Sequence, residues 1–199
     1  ISSTAVTSVN EDSAYSYTVT TADDDGDTIT LTGTTVPSWL TFTASSGALA
    51  GTPDNDDVGS HSVVITASDG NGGSVTDSFS IAVANTNDAP TITSTAVTSV
   101  NEDSAYSYTT TASDVDTGDT VTLTCTTVPS WMSCTNGALT GTPLNAHVGA
   151  HSVVITASDG NGGSATDTFT VTVANTNDAP TISSTAVTSV NEDSAYSYT

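Results

Sequence analysis

An internal repeat constrains this chain more than any other feature. Residues 1–18 read ISSTAVTSVNEDSAYSYT, and residues 182–199 have the identical sequence. Asn10, Asn101 and Asn191 each open the segment NEDSAYSY, which sets a period of about 90 residues. A unit of that length is long enough to bury a core of its own. The sequence therefore predicts a tandem array of similar small domains.

The repeat also predicts where the units begin and end. We expect one unit over residues 1–90 and a second over residues 91–180. Residues 181–199 match only the first strands of a third unit and are too short to close a fold alone. Two interpretations of this tail remain open. The chain is either a window on a longer array, or the tail completes a fold in a neighbouring molecule.

Each unit is built from short runs in which apolar and polar residues alternate. Tyr15 and Tyr17 share one face at the period of a β-strand, and helical periodicity is absent. The strand-like segments of the first unit are 5–9, 14–20, 28–35, 37–42, 47–51, 61–67 and 75–83. Seven short strands separated by turns are typical of a sandwich. The predicted fold is all-β, with tandem seven-stranded antiparallel β-sandwiches joined end to end.

The apolar residues of these segments define a predicted core. Trp39 and Trp131 could instead stack on a ligand, but each lies in a Pro-Ser-Trp corner of a small core, which favours packing. The predicted core of the first unit is Val9, Tyr15, Tyr17, Ile29, Leu31, Trp39, Leu49, Val63, Ile65, Phe79, Ile81 and Val83.

The charge balance excludes several classes of function. The chain has no lysine or arginine and 22 acidic residues, for a net charge of −22. Such a chain repels nucleic-acid phosphates and anionic membranes, so we expect neither as a partner. No apolar run is long enough to predict membrane insertion of this segment. The array also repels itself unless cations intervene, although an acidic surface adapted to solubility or salt would have the same composition.

Many of the acids lie in turns that antiparallel strands would bring to the same end of a unit. The end of the first unit carries Glu11, the turn around Asp57 and the linker, and the opposite end of the second unit faces it. Calcium prefers six to eight oxygen ligands of this kind, and no histidine or cysteine cluster favours zinc. The alternative is that Asp, Asn and Gly simply suit turn geometry. The predicted calcium ligands are Glu11, Asp57, Asn87, Asp88, Asp114, Asp116 and Asp159, with Asp119 on the same side of the joint.

The two cysteines occur only in the second unit. Cys125 and Cys134 replace Gly33 and Phe42 of the first unit. Because both are present in one copy and both absent from the other, they predict a disulfide formed in an oxidising compartment. Two inert buried thiols are the alternative.

These motifs together resemble the cadherin-like repeats of bacterial surface proteins, in their dystroglycan-type or immunoglobulin-like variety. The residues that carry the resemblance are Pro37-Ser38-Trp39-Leu40, Gly47 to Pro53, Asp57-Val58-Gly59, Ala67 to Gly70 and Asn85 to Pro90. The resemblance implies a calcium-stiffened sandwich used in adhesion or as a spacer. By position, it implies metal-binding roles for Glu11, Asn87, Asp88, Asp114, Asp116 and Asp159.

The chain departs from that pattern at two places. It lacks the Asp-Arg-Glu element of animal cadherins and has a Gly-Thr-Pro loop instead. In the second unit this loop continues as Leu144-Asn145-Ala146-His147, without a carboxylate. We therefore expect the second joint to bind metal less well, or to bind fewer ions.

The sequence favours a structural function over catalysis. His61, His147 and His151 are not arranged with a nucleophile or a third group, so we expect no enzyme. The first hypothesis is a repeat of a long extracellular stalk or fibril, whose partners are neighbouring repeats of the chain or other copies assembled head to tail. Serine and threonine are abundant, which allows O-linked glycans. The alternative is a cell-surface adhesin module that binds glycan or protein ligands.

Overall fold

The computed structural model describes residues 1–199 and confirms the predicted all-β fold. Each of the seven predicted segments of the first unit overlaps a strand. These strands are β1 Ser8–Asn10, β2 Tyr15–Thr18, β3 Thr30–Thr35, β4 Leu40–Thr43, β5 Ala48–Gly51, β6 Gly59–Ser68 and β7 Ser74–Ala84. The second unit contains β8 Thr91–Ile92, β9 Ser99–Asn101, β10 Tyr106–Thr109, β11 Ala112–Ser113, β12 Thr122–Thr127, β13 Met132–Thr135, β14 Ala138–Gly141, β15 Gly149–Ser158 and β16 Ser164–Ala174.

The strands of each unit form two sheets that enclose a core. In the first unit one sheet has the order β1-β7-β6-β3 and the other β2-β5-β4. The second unit repeats this arrangement as β9-β16-β15-β12 and β10-β14-β13, with a small ribbon of β8 and β11 at its start. A single-turn 3-10 helix precedes the longest hairpin in each unit, at Asn55–Asp57 and Asn145–His147.

One strand pair in each unit differs from the predicted antiparallel arrangement. The first strand of each sandwich lies parallel to the last: β1 pairs with β7, and β9 pairs with β16. All the other strand pairs are antiparallel. Parallel pairing lets the chain enter and leave a sandwich in the same direction, so successive units can be joined end to end.

Alternation along the strands produces the core. Tyr15, Tyr17 and Leu49 are buried in the first sandwich, and the residue that follows each of them is exposed. The buried phenols keep hydrogen-bond partners: Tyr15 Oη donates to Val6 O (2.7 Å), and Tyr17 Oη lies 2.8 Å from Ser3 Oγ. Burial raises the pKa of Tyr15 to about 12, so this phenol remains a hydrogen-bond donor at physiological pH.

The predicted core is largely correct but differs in detail at the tryptophan corner. Leu40 is buried there, and Trp39 is only partly buried against the same core. The Trp39 ring makes edge-to-face contacts with Tyr15 and His61. These contacts favour packing over ligand stacking, as does the equivalent contact of Trp131 with Tyr106.

A disulfide joins the two sheets of the second sandwich. Cys125 of β12 is bonded to Cys134 of β13, across nine residues of sequence. In the first sandwich this place is occupied by Phe42, which packs over Gly33. A Cβ atom on Gly33 would lie 3.0 Å from the Phe42 ring and 2.9 Å from Val36. One sandwich is therefore filled at this place by an aromatic ring and the other is covalently cross-linked.

The segment that matches the start of a third unit forms no strand. Residues 175–199 lack sheet partners, and Ile182 is 89 % exposed. The segment nevertheless keeps a local contact of the complete units, since Tyr196 Oη donates to Val187 O (2.9 Å) as Tyr15 does to Val6. A strand requires a neighbouring strand to satisfy its backbone groups, and this segment has none here.

We predict that the disulfide stabilises the second sandwich selectively. Replacing both cysteines by alanine should lower its free energy of unfolding by about 2–3 kcal/mol, the value expected for closing a short loop. Hydrogen exchange of β15 and of β6 reports on the two sandwiches separately. Protection of β15 should fall and that of β6 should not; equal protection of β15 with and without the cross-link would contradict the prediction.

Candidate metal centre at the joint between the sandwiches

The linker between the sandwiches lies between loops from both units. It follows β7, and its polar residues contact the first unit on one side and the second on the other. The contacting loops are those that the strand directions predict for this end of each unit. Residues far apart in sequence therefore meet at one joint.

Glu11 is the buried acid on the first unit's side. It follows β1, and its backbone N–H donates to Ala84 O at the end of β7 (3.0 Å). Its side chain is 1 % exposed, and Glu11 Oε1 accepts a hydrogen bond from the backbone N–H of Thr86 (2.6 Å). The parallel pairing of β1 and β7 thus places this carboxylate against the start of the linker.

Asn87 and Asp88 connect the linker to both units. Asn87 Nδ2 donates to Asp159 Oδ2 (2.9 Å), and the backbone N–H of Asp88 donates to Asp116 Oδ2 (2.7 Å). On the other side, Asp88 Oδ2 accepts a hydrogen bond from Asn55 Nδ2 (2.6 Å). The linker is therefore held by side chains of both sandwiches and is not a free tether.

Two loops of the second unit supply the remaining acids. Asp114 Oδ1 accepts a hydrogen bond from the backbone N–H of Asp116 (3.0 Å), and Asp119 Oδ1 accepts one from Asn161 Nδ2 (2.8 Å). Asp159 Oδ1 accepts hydrogen bonds from three successive backbone N–H groups, those of residues 161–163. These hydrogen bonds fix the carboxylates before any ion binds.

The carboxylates form two clusters. Each cluster supplies three carboxylate oxygens that all lie within 4.8 Å of one another. We name them the inner cluster, which contains Glu11, Asp88 and Asp116, and the outer cluster, which contains Asp114, Asp119 and Asp159. The inner cluster combines the first unit, the linker and the second unit.

The chemistry of these clusters fits a hard divalent cation. The chain has no lysine or arginine to neutralise the acids. Buried carboxylate oxygens without a hydrogen-bond partner remain in both clusters: Glu11 Oε2, Asp114 Oδ2, Asp116 Oδ1 and Asp119 Oδ2. Buried charged oxygens require a partner, and an all-oxygen set of carboxylates suits calcium. In each of these four side chains, the other oxygen holds the linker or a loop through a hydrogen bond.

Hydrogen bonding keeps Asp159 ionised. Its pKa lies below the ordinary value of 3.8, first because Asn87 donates to it and also because the backbone N–H groups of residues 161–163 do. Burial opposes this shift. Asp159 is therefore a carboxylate throughout the physiological range and is available to a cation.

A glycine allows the linker to approach Asp159. A Cβ atom at Gly163 would lie 2.8 Å from the Asp88 carbonyl oxygen and 2.8 Å from the Cα atom of Ala89. Real Cβ atoms essentially never come so close to backbone atoms. Gly162 and Gly163 therefore shape the turn after Asn161, and Gly163 also allows the loop to contact the linker closely.

Six of the seven predicted ligands lie at this joint, and Asp57 does not belong to either cluster. The Asp57 carboxylate accepts a hydrogen bond from the backbone N–H of Asp54 (3.2 Å) and caps the 3-10 turn. Its neighbour Asn55 reaches the linker instead. The contact between Asn55 and the linker was not predicted from the sequence. Asp119 was also left out of the predicted ligands, although the repeated acids of the 114–119 loop were a signal for including it.

The second linker repeats the contacts that the first linker makes with the unit preceding it. Glu102 is 1 % exposed, and its Oε1 accepts a hydrogen bond from the backbone N–H of Thr176 (2.5 Å). Asn145 Nδ2 donates to Asp178 Oδ2 (2.6 Å). The contacts of Glu11 and Asn55 are thus repeated, although the loop around Asn145 has no carboxylate.

The histidines have structural contacts. His61 Nε2 donates to the carbonyl oxygen of Asp57 (2.5 Å), and His151 Nε2 donates to that of His147 (2.6 Å). Both rings also contact a tryptophan edge to face. His61 and His151 therefore each tie a 3-10 turn to the strand that follows it.

The fold and the joint define a class: tandem sandwiches of the cadherin and immunoglobulin kind. The chain belongs to the Putative Ig domain family, whose sequence model matches residues 1–84 and 89–174. A Staphylococcus aureus (strain MRSA252) protein, "Serine-rich adhesin for platelets", is 30% identical over 153 residues. That match covers 76% of this chain and 11% of the relative, so the chain spans only a small part of the adhesin's length.

Solved structures show the same fold. The structure "PcdhgB3 EC1-4" superposes with a TM-score of 0.57 at 19% identity, covering 86% of this chain and 48% of that one. A protocadherin gammaB7 EC3-6 structure gives a TM-score of 0.52 at 22% identity, covering 84% of this chain and 45% of that one. The predicted cadherin-like and immunoglobulin-like assignment is confirmed, and with it an extracellular or cell-surface location. None of the helices has the length and apolar character needed to cross a bilayer.

We predict that Asp159 contributes stability that acid removes. Its folded-state pKa is lowered, so its contribution is complete above the ordinary value of 3.8 and disappears as the pH falls through the lower folded-state value. With a chelator present, melting temperatures measured from pH 6 to pH 2 should fall more steeply for the natural chain than for Asp159→Asn. Asp56→Asn, which changes an exposed acid outside both clusters, is the control. Parallel curves for the natural chain and Asp159→Asn would contradict the prediction.

Proposed function

We propose that this chain is a non-enzymatic structural segment of an extracellular stalk or fibril, stiffened at its joint by calcium. One observation carries the proposal. Six carboxylates from two sandwiches and their linker form two compact clusters. Several of their buried oxygens have no hydrogen-bond partner, and the chain contains no lysine or arginine to neutralise them.

The two clusters would act differently on the joint. A cation in the inner cluster would contact Glu11 of the first unit, Asp88 of the linker and Asp116 of the second unit. A cation in the outer cluster would contact acids of the second unit only and would fix the surface on which Asn87 rests. Calcium would thus link the sandwiches directly and also order the loops that receive the linker.

Removing the cation should loosen the joint but leave the sandwiches folded. The acids of the inner cluster would then repel one another across the interface, whereas the two hydrophobic cores contain no cluster residue. The function proposed for calcium is therefore control of bending between units. Neighbouring repeats are the proposed partners of each unit, and copies joined head to tail would extend the same joint.

We predict that calcium straightens the chain through the inner cluster. Small-angle scattering should show a longer and less variable particle with calcium than with a chelator, and Asp116→Asn should weaken the response by at least about tenfold in calcium concentration, as expected for a buried ligand. Asp56→Asn should behave like the natural chain. A scattering profile that does not change between calcium and chelator would refute the calcium joint.

The sheet faces support the finer proposal of O-linked glycans. All acidic residues except Asp77 and Asp167 lie outside the strands, and Asp77 points inward to accept a hydrogen bond from Tyr17 Oη (3.2 Å). The outward positions of the longest strands carry hydroxyl groups instead. The exposed hydroxyl residues are Ser74, Thr76, Ser78 and Ser80 of β7, and Ser164, Thr166, Thr168, Thr170 and Thr172 of β16.

We predict that glycans, where attached, concentrate on these outward positions. The natural protein should then be heavier than its sequence, the excess should be lost on alkaline β-elimination, and peptide mapping should place it on β7 and β16. Thr110 is an internal control because it is 3 % exposed and should be unmodified. A mass equal to that of the sequence, or modification confined to the loops, would contradict this proposal.

Ligand binding by an adhesin is the second candidate function. The observation that favours it is the similarity to the Staphylococcus aureus protein named as an adhesin for platelets. The structure offers this candidate less support. The large apolar side chains exposed on the two sandwiches are seven valines and one leucine, and the aromatic rings of the sandwiches pack against the cores, so none of these rings is free to stack on a ligand.

A further inference from the structure

The 3-10 turn of the second sandwich differs from that of the first in how its backbone is capped. Two carboxylates cap the first turn: Asp54 Oδ1 accepts a hydrogen bond from the backbone N–H of Asp56 (3.0 Å), and Asp57 Oδ2 accepts one from that of Asp54 (3.2 Å). In the second turn Leu144 stands in the place of Asp54, and its side chain has no acceptor. The second turn therefore depends on a single side-chain cap.

That cap is the imidazole ring of His147, which stands in the place of Asp57. His147 Nδ1 accepts a hydrogen bond from the backbone N–H of Leu144 (2.9 Å), and the side chain is half-buried. A ring nitrogen accepts a hydrogen bond only while it carries no proton. Histidine side chains take up a proton between about pH 5 and pH 8, whereas carboxylates stay charged over that range. The same position thus holds a constant acceptor in one sandwich and a titratable acceptor in the other.

The capped turn positions a contact with the second linker. Asn145 is the first residue of the turn, and its Nδ2 donates to Asp178 Oδ2 (2.6 Å). It lies between Leu144 and His147, the two residues that the cap joins. Protonation of His147 places a ring N–H against the backbone N–H of Leu144, and two donors cannot bond to each other. The turn then loses its cap, and Asn145 is no longer held in position for the linker.

The charged groups on the neighbouring elements allow His147 to take up a proton. The His147 carbonyl oxygen accepts a hydrogen bond from His151 Nε2 (2.6 Å), which a protonated His151 can still donate. The carboxylates on these elements are Asp178 of the linker, Glu102, which accepts from the linker, and Asp103, whose backbone N–H donates to the residue just before the turn (2.7 Å). These negative charges favour a protonated imidazole, and a protonated His151 opposes it.

We propose that His147 is a pH-sensitive cap, which holds the second linker against its sandwich at neutral pH and releases it in acid. The range is that in which histidine takes up a proton. The first linker lacks this response because carboxylates cap its turn. The two linkers then differ in stiffness in acid although their sequences are the same. This property requires no cation, so it goes beyond the proposed calcium joint.

Amide hydrogen exchange of the whole chain, measured by NMR with a chelator present, tests this inference. The backbone N–H of Val148 donates to Asn145 O and that of Val58 donates to Asn55 O (3.4 Å in each case), so these two amides report on the two turns. Protection is corrected for the intrinsic pH dependence of exchange. Between about pH 7.5 and pH 5, protection of Val148 should fall on the order of fivefold, as expected for the loss of one cap, and that of Val58 should not. The backbone order parameter of Asp178 should fall together with the protection of Val148.

Exchanging the two capping residues gives matched variants. His147→Asp should make the second turn insensitive to pH over this range, and Asp57→His should make the first turn sensitive. His61 and His151 make the same contact in both sandwiches, so their protonation affects both turns alike. A difference between the turns therefore reports on His147.

Several results would overturn the inference. Protection of Val148 that does not change with pH, or an equal loss at Val58 in the natural chain, would exclude a special role for His147. A full loss retained in His147→Asp would assign the response to another group. Loss of the cap without a change in the order parameter of Asp178 would show that the cap does not hold the linker. Because a chelator is present throughout, none of these results depends on whether calcium straightens the chain, and either proposal can fail without the other.

Discussion

Uncompensated negative charge at the joint is the constraint on which this structure depends. Six carboxylates come together there, and the chain contains no lysine or arginine to pair with them. Two unit charges about 5 Å apart repel by on the order of 3 kcal/mol near a protein surface, so the arrangement requires a counter-ion. The hydrogen bonds to these acids do not remove this charge. In Glu11, Asp114, Asp116 and Asp119 they hold one carboxylate oxygen and leave the other without a partner.

Acidic groups and cores are separated in space. The strands carry apolar side chains inward and hydroxyl groups outward, and almost every acid lies at the ends of the sandwiches. Folding of a unit therefore depends on hydrophobic burial, whereas the relation between units depends on electrostatics. This separation explains how one small fold can bury its own apolar core and still meet its neighbour through charged groups.

The sequence was sufficient to predict the fold and most of the candidate site, for physical reasons. Side chains such as Tyr15 and Tyr17 alternate at the strand period, and antiparallel strands determine the end at which each loop lies. Prediction failed where one tight turn decides the outcome. Which of Asn55 and Asp57 faces the linker depends on the capping geometry of the 3-10 turn, and spacing does not encode it. The parallel pairing of β1 likewise depends on a long-range contact.

The repeated sequence has a consequence for synthesis. β1 and β9 are both Ser-Val-Asn, and β2 and β10 are both Tyr-Ser-Tyr-Thr, so either copy could occupy the same sheet edge. On the ribosome, β7 emerges after β1 and before β9, so the correct partner is the first one available. A chain diluted from denaturant has no such order. Vectorial translation therefore protects these repeats from exchanging strands, and faithful refolding in vitro has to overcome a competition that the nascent chain avoids.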